Sequence, residues 1–189
     1  MSDPTIVVHN VVSYTEIDMK DHEMLNLKTV AAKVEGSRYN PKRFPAVIIR
    51  KSKPKGTGLV FKSGKIIIIG AQAENDSEIL ARKVIKDLSH VFGKTFLMKS
   101  FRITNIVASA KFKHPVDIGR IAEDQVGVKD DNFPGLVYRV GTPIKSALIF
   151  SSGKVMLTGA LSREACEEAY FKLHRALAKY FIKTEEPKD

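Results

Sequence analysis

L-V-F-K-S-G-K-I-I-I-I-G-A, residues 59–71, returns as L-I-F-S-S-G-K-V-M-L-T-G-A at residues 148–160. Seven of the thirteen positions are identical, at an offset of 89 residues. The same offset relates F-P-A-V-I-I-R at 44–50 to F-P-G-L-V-Y-R at 133–139. Two blocks sharing one offset mark an internal duplication, because unrelated apolar strands would not keep a common spacing. A shorter match, N-V-V-S from Asn10 and N-I-V-A from Asn105, has an offset of 95. The first copy therefore holds six more residues between its first strand and Phe44, an insertion suited to a loop or the surroundings of a short helix.

Each copy is expected to run first strand, short helix, several strands, longer helix. Asn75-Asp76-Ser77-Glu78 resembles a capping box, with Leu80, Val84, Leu88 and Val91 following at helical spacing. Ser162 is placed to cap the second long helix, where Cys166, Ala169, Leu173, Leu177 and Tyr180 trace one face. Gly93 is a stop signal for the first. Tight turns are predicted at Ser63-Gly64-Lys65 and Ser152-Gly153-Lys154. Longer connections are predicted through Lys51–Gly56 and Val140–Lys145, which hold Pro54 and Pro143. Strands closed by one long helix per copy make an α+β protein.

The strands are too apolar for that architecture. A sheet covered by helices on one side should alternate apolar with polar residues. Ile66-Ile67-Ile68-Ile69, Val155-Met156-Leu157, Ala46–Ile49 and Leu136–Val137 do not. Two long helices cannot cover both faces, so one apolar face is expected to await a partner. A two-layer core or a dimer seam would use the same pattern.

Composition narrows the partner. Thirty-one Lys and Arg against 21 Asp and Glu give a formal net charge of +10, which favours polyanions, nucleic acid before anionic membrane. The single cysteine, Cys166, has no internal disulfide partner and fits a reducing compartment. The first ten residues lack a secretory pattern, and no apolar run reaches the roughly 20 residues of a membrane span. The expectation is a soluble intracellular protein with no membrane partner.

Tyr39-Asn40-Pro41-Lys42-Arg43-Phe44 and the strand after it resemble the TATA-box-binding protein family. So do residues 133–139 and the paired F-x-S-G-K turns followed by G-A. The resemblance spans about residues 5–181, with repeats at 1–96 and 97–181 and a short charged tail at 182–189. It implies a saddle of two pseudo-symmetric repeats, with one curved antiparallel sheet and helices on the convex face. The implied function is a general transcription initiation factor, not an enzyme and with no cofactor. Such a factor binds and bends A·T-rich promoter DNA through the minor groove and nucleates the preinitiation complex.

By the same resemblance, Phe44 and Phe61, with Phe133 and Phe150, are the wedges that enter base steps. Each pair is 17 residues apart. Asn10, Val12, Leu59, Ile67, Asn105, Val107, Leu148, Met156 and Thr158 match minor-groove floor positions. Amides and hydroxyls among them suit the A N3 and T O2 acceptors. Arg43, Arg50, Ser63, Lys65, Arg139, Ser152 and Lys154 match phosphate contacts. Asp131 matches a residue of the acidic region that holds a transcription factor IIB-like protein. A factor IIA-like protein is a further implied partner, and the free protein can pair as a homodimer. The implied location is the nucleus, or the cytoplasm and nucleoid of an archaeal cell.

Several positions depart from the family pattern. Ile69 stands opposite Thr158 in the repeat, Pro45 follows the first wedge, and Gln72 and Leu161 follow the two G-A pairs. Val128-Lys129-Asp130-Asp131-Asn132 is only partly acidic. These departures keep open a protein-interaction factor with weakened or altered TATA recognition. A DNA-repair glycosylase of related fold would need a catalytic helical domain for which the chain has no room. The repeated Ser-Gly-Lys is not a phosphate loop, since Leu59 and Ile66 occupy places that need Gly and Ser or Thr. Asp18, Asp21, His22 and Glu23 lack calcium-loop spacing and read as a solvated loop. No nucleophile–base set is evident.

Overall fold

A computed structural model describes residues 4–20, 23–130 and 132–182. The chain packs as two compact units. One holds His9–Asn105, and the other holds the chain from Ile106 onward together with the residues before His9.

In the first repeat, strand β1 (Val7–Ile17) precedes a one-turn-and-more helix α1 (Leu27–Lys33), which Asn26 caps by accepting from the Thr29 amide at 3.1 Å. Strands β2 (Ser37–Arg38), β3 (Ala46–Ser52), β4 (Lys55–Phe61) and β5 (Lys65–Ala71) follow, then helix α2 (Glu74–Phe92). The order across the sheet is β2-β3-β4-β5-β1, antiparallel throughout. The second repeat copies it with β6 (Met98–Lys111), α3 (Ile118–Glu123), β7 (Val128–Lys129), β8 (Gly135–Arg139), β9 (Ser146–Phe150), β10 (Lys154–Ala160) and α4 (Arg163–Ala176). Its order is β6-β10-β9-β8-β7.

Period-two burial resolves the over-apolar strands. Ile66 and Ile68 are fully buried while Ile67 and Ile69 are only half-buried. Val155 and Leu157 alternate in the same way with Met156 and Thr158. The buried set meets the inner faces of the long helices: Leu80, Ala81, Val84 and Leu88 on α2, and Cys166, Ala169 and Leu173 on α4. Gly58 brings α2 close, since a Cβ there would lie 2.8 Å from a Val84 methyl. Its repeat partner is Ala147, so the second copy tolerates one more carbon.

Three local expectations change. Helix α2 begins at Glu74 with Ala73 as N-cap, so Asn75-Asp76-Ser77-Glu78 is no capping box but already helix. Ser77 is turned inward, where its hydroxyl and that of Ser13 are hydrogen-bonded at 2.7 Å, both buried. Glu74 and Asp76 instead place negative charge in the first turn. Lys51–Gly56 is not a long connection either, because β3 and β4 continue to Ser52 and Lys55 and leave only Lys53-Pro54 between them. Helix α4 stops at Ala176, and its apolar face continues through Leu177 and a 3-10 turn at Ala178–Tyr180.

The other signals hold. Ser162 caps α4 by accepting from the Ala165 amide at 3.1 Å, and Gly93 ends α2 in the left-handed region with φ 64°. Gly64 and Gly153 both have φ 82°, which is why the two Ser-Gly-Lys turns need glycine.

The C-terminal 3-10 turn is tied down by Asp124 after α3, which accepts from the Tyr180 hydroxyl at 2.6 Å and pairs with Lys179 at 2.9 Å. The Tyr180 hydroxyl first, and Lys179 second, hold the Asp124 carboxyl below the ordinary aspartate range. A depressed carboxyl contributes stability that is present above its unfolded pKa and lost as pH falls through the folded one. Asp124→Asn is therefore expected to lower the melting temperature near neutral pH. The gap from the native chain should close in strongly acidic buffer. A gap that persists there would show the effect is not the carboxylate's charge.

Candidate nucleic-acid interface

Strand register assembles the candidate residues on the face that the helices leave uncovered. In the first repeat Ile48 lies opposite Leu59, Leu59 opposite Ile67, and Ile67 opposite Tyr14. In the second, Val137 lies opposite Leu148, Leu148 opposite Met156, and Met156 opposite Ser109. Directly opposed residues share a sheet face, so each row is a continuous strip. Leu59, Ile67, Leu148 and Met156 were expected there. Ile48, Val137, Tyr14 and Ser109 were not. Parity alone locates two of them, since Ile48 lies midway between Ala46 and Arg50 on the Phe44 side, and Val137 midway between Gly135 and Arg139.

A neighbouring row carries the hydroxyls. Thr158 faces Ser146 on one side and Val107 on the other. The matching first-repeat row pairs Ile69 with Thr57, while Val12 stands at a register shift between Val11 and Ser13. So the hydroxyl lost at Ile69 has a neighbour at Thr57.

The phenylalanines close each strip at one end. Phe61 is opposite Ala46, and Phe44 precedes Ala46 by two residues. The two rings meet edge to face with centroids 6.1 Å apart. Phe150 is opposite Gly135, and the Phe133 and Phe150 centroids are 6.0 Å apart. Phe44 and Phe133 are each 37% exposed, a large exposure for an aromatic ring already in contact with another. The turns before them are built alike: the Asn40 side chain accepts from the Lys42 amide at 3.2 Å, and the Asp130 side chain from the Asn132 amide at 2.8 Å. Gly135 keeps the second ring pair in place, because a Cβ there would lie 2.7 Å from the Phe133 ring.

Asn10 and Asn105 are half-buried, on β1 and β6. The Asn10 side-chain oxygen accepts from the Gly70 amide at 2.7 Å. That bond occupies the acceptor end of the amide and leaves the NH2 group to donate outward. Gly70 has φ 85°, which accounts for the glycine of the first G-A pair.

Around the apolar strips, Arg43, Arg50, Ser63, Lys65, Arg139, Ser152 and Lys154 are all exposed. Arg50 lies opposite Thr57 and Arg139 opposite Ser146, at the same place in both repeats. Beside the first strip, Tyr14 donates its hydroxyl to Glu16, and the Arg102 guanidinium lies 4.6 Å over the Tyr14 ring. Burial and the bond to Glu16 push the Tyr14 hydroxyl above its ordinary range. Asp131, the expected partner-binding residue, lies outside the described residues. Asp21 and His22 lie outside them too, and Glu23 pairs with Lys94.

The fold and the site together define a duplicated α+β sheet protein with a basic-rimmed apolar face in each copy. Its sequence matches the family described as transcription factor TFIID (or TATA-binding protein, TBP) over residues 5–91 and 100–180, and the chain belongs to that family. It is 39% identical over 176 residues to the TATA-box-binding protein of Tetrahymena thermophila, covering 92% of this chain and 70% of that one. The TATA-box-binding protein of Schizosaccharomyces pombe is 36% identical over 180 residues, covering 94% and 75%. Among solved structures, the Methanococcus jannaschii TBP matches with a TM-score of 0.80 at 34% identity, covering 93% of this chain and 99% of that one. The α+β class read from the duplication is the fold of this family, whose members are transcription factors and not enzymes.

Proposed function

We propose that the chain is a general transcription initiation factor that binds A·T-rich promoter DNA in the minor groove and bends it. One observation carries the reading: each repeat sets a pair of contacting phenylalanine rings, one exposed and one half-buried, at the end of a half-exposed apolar strip. Minor-groove proteins of this kind unstack base steps with apolar side chains, and the bent duplex then covers more protein surface. Phe44 and Phe61 are the wedges of the first repeat (1–96), and Phe133 and Phe150 those of the second (97–181). Asn10, Val12, Leu59, Ile67, Asn105, Val107, Leu148, Met156 and Thr158 form the floor. The Asn10 NH2 group and the Thr158 hydroxyl donate to A N3 and T O2, which separates A·T from G·C. Deformability of the A·T-rich site supplies further selectivity. Arg43, Arg50, Ser63, Lys65, Arg139, Ser152 and Lys154 hold phosphates and set the register.

Bound to the promoter, the protein nucleates the preinitiation complex by receiving factor IIB-like and factor IIA-like proteins, with Asp131 serving the first. Free of DNA, it pairs with a second copy through the apolar strips. It works where the promoters are: the nucleus, or the nucleoid of an archaeal cell.

The test is an A·T-rich duplex labelled with fluorophores at both ends, titrated with the full chain at several salt concentrations. The ends should approach on binding, and affinity should fall steeply as salt rises. Tight binding with no change in end-to-end distance would overturn the wedge mechanism.

A further inference from the structure

The two repeats differ at one pair of positions where the duplication would predict likeness. Glu16 lies opposite Lys65 in the β1–β5 ladder, and Lys111 lies opposite Lys154 in the β10–β6 ladder. These are equivalent places, since 16 and 111 differ by 95 and 65 and 154 by 89, the two offsets of the duplication. In the first repeat the cross-strand charges cancel. In the second, two ammonium groups are directly opposed, an arrangement that destabilises an antiparallel pair unless an anion bridges it.

The surroundings sharpen the difference. Glu16 accepts from the Tyr14 hydroxyl, so its carboxylate is held on the strip side of β1. Lys111 and Lys154 are both exposed and form no ion pair among the described residues. They line a hollow of about 610 Å³ together with Lys113, Ser109 and Ser152. Pro4, Thr5, Val7, Ala110 and Tyr170 complete its lining, and the Lys111 and Lys154 ammonium groups on it are donors of the kind that a phosphate oxygen accepts from. Lys154 shares its sheet face with Met156 and Thr158, and Lys111 shares it with Ser109 and Val107, so the two lysines extend the groove-floor rows.

We propose that Lys111 joins Lys154 in clamping one backbone phosphate of the bound duplex in the second repeat, where the equivalent phosphate of the first repeat meets Lys65 alone, its charge offset by Glu16. The two repeats then hold the DNA backbone unequally. Resting as it does on the DNA-binding reading above, the clamp makes Lys111 a residue that distinguishes the two ends of an A·T-rich site.

The test combines the salt series with duplexes in which one phosphate at a time is replaced by an uncharged methylphosphonate. Lys111→Ala together with Lys154→Ala in the full chain should reduce the slope of log affinity against log salt by about one, the value for one phosphate contact, and Lys111→Ala alone should reduce it by part of that. Lys111→Arg should retain the native slope. One methylphosphonate position should weaken the native chain more than it weakens Lys111→Ala, and more than the mirror-related position weakens the native chain. Glu16→Lys should strengthen the effect at the mirror position and raise the slope. An unchanged slope in a Lys111→Ala chain that still bends DNA overturns the clamp and leaves the function standing. A native chain that does not bend the duplex overturns the function itself.

Discussion

Replacing Phe133 and Phe150 together by alanine should weaken binding to an A·T-rich duplex at least about thirty-fold, given roughly 1–3 kcal/mol for each aromatic ring stacked on a base. The bend should diminish with it. The rings contact one another at 6.0 Å between centroids and stand at the end of β8 and β9, with Phe133 37% exposed. They are therefore peripheral to the core beneath α4, and the variant should remain folded, with a melting temperature close to that of the native chain. Association followed by end-to-end distance measures both effects. A double variant that binds and bends normally would remove these rings from the site.

The second large effect concerns stability and separates two adjacent isoleucines. Ile68 is fully buried under α2, and Ile67, one residue earlier, looks out on the strip opposite Leu59 and Tyr14. Ile68→Ala should cost about 2–5 kcal/mol, the range for emptying a packed core site. Ile67→Ala should cost well under half of that while weakening DNA binding. Urea titrations of both variants, with duplex affinity alongside, give the comparison. Equal losses of stability would mean that β5 is covered on both faces.

How much of this was legible beforehand depends on the kind of signal. The duplication, the two long helices, the Ser162 cap and the Gly93 stop follow from local residue chemistry, and the structure has each of them. The two-sidedness of the sheet was legible only as an excess: four isoleucines in a row state that both faces are apolar but not which one is covered. Register supplied that answer, and register is a property of pairs far apart in the chain. The same limit hid Tyr14, which reaches the strip by lying opposite Ile67, and the contrast between Glu16–Lys65 and Lys111–Lys154. The capping box failed for a different reason. Ser77 was drawn inward by a hydroxyl partner 64 residues away, a tertiary bond that no local pattern announces.

Strands β2 and β7 are only two residues long, Ser37–Arg38 and Val128–Lys129, and each forms the outer margin of its repeat's strand order. A margin that short, ending in arginine or lysine, offers an incoming strand almost no ladder to extend. Polymerisation edge to edge is thereby discouraged in a protein rich in β structure. On the proposed function, self-pairing and promoter occupancy draw on one surface, the broad apolar strips. Raising the protein's concentration should then slow its capture of DNA rather than drive it into fibres.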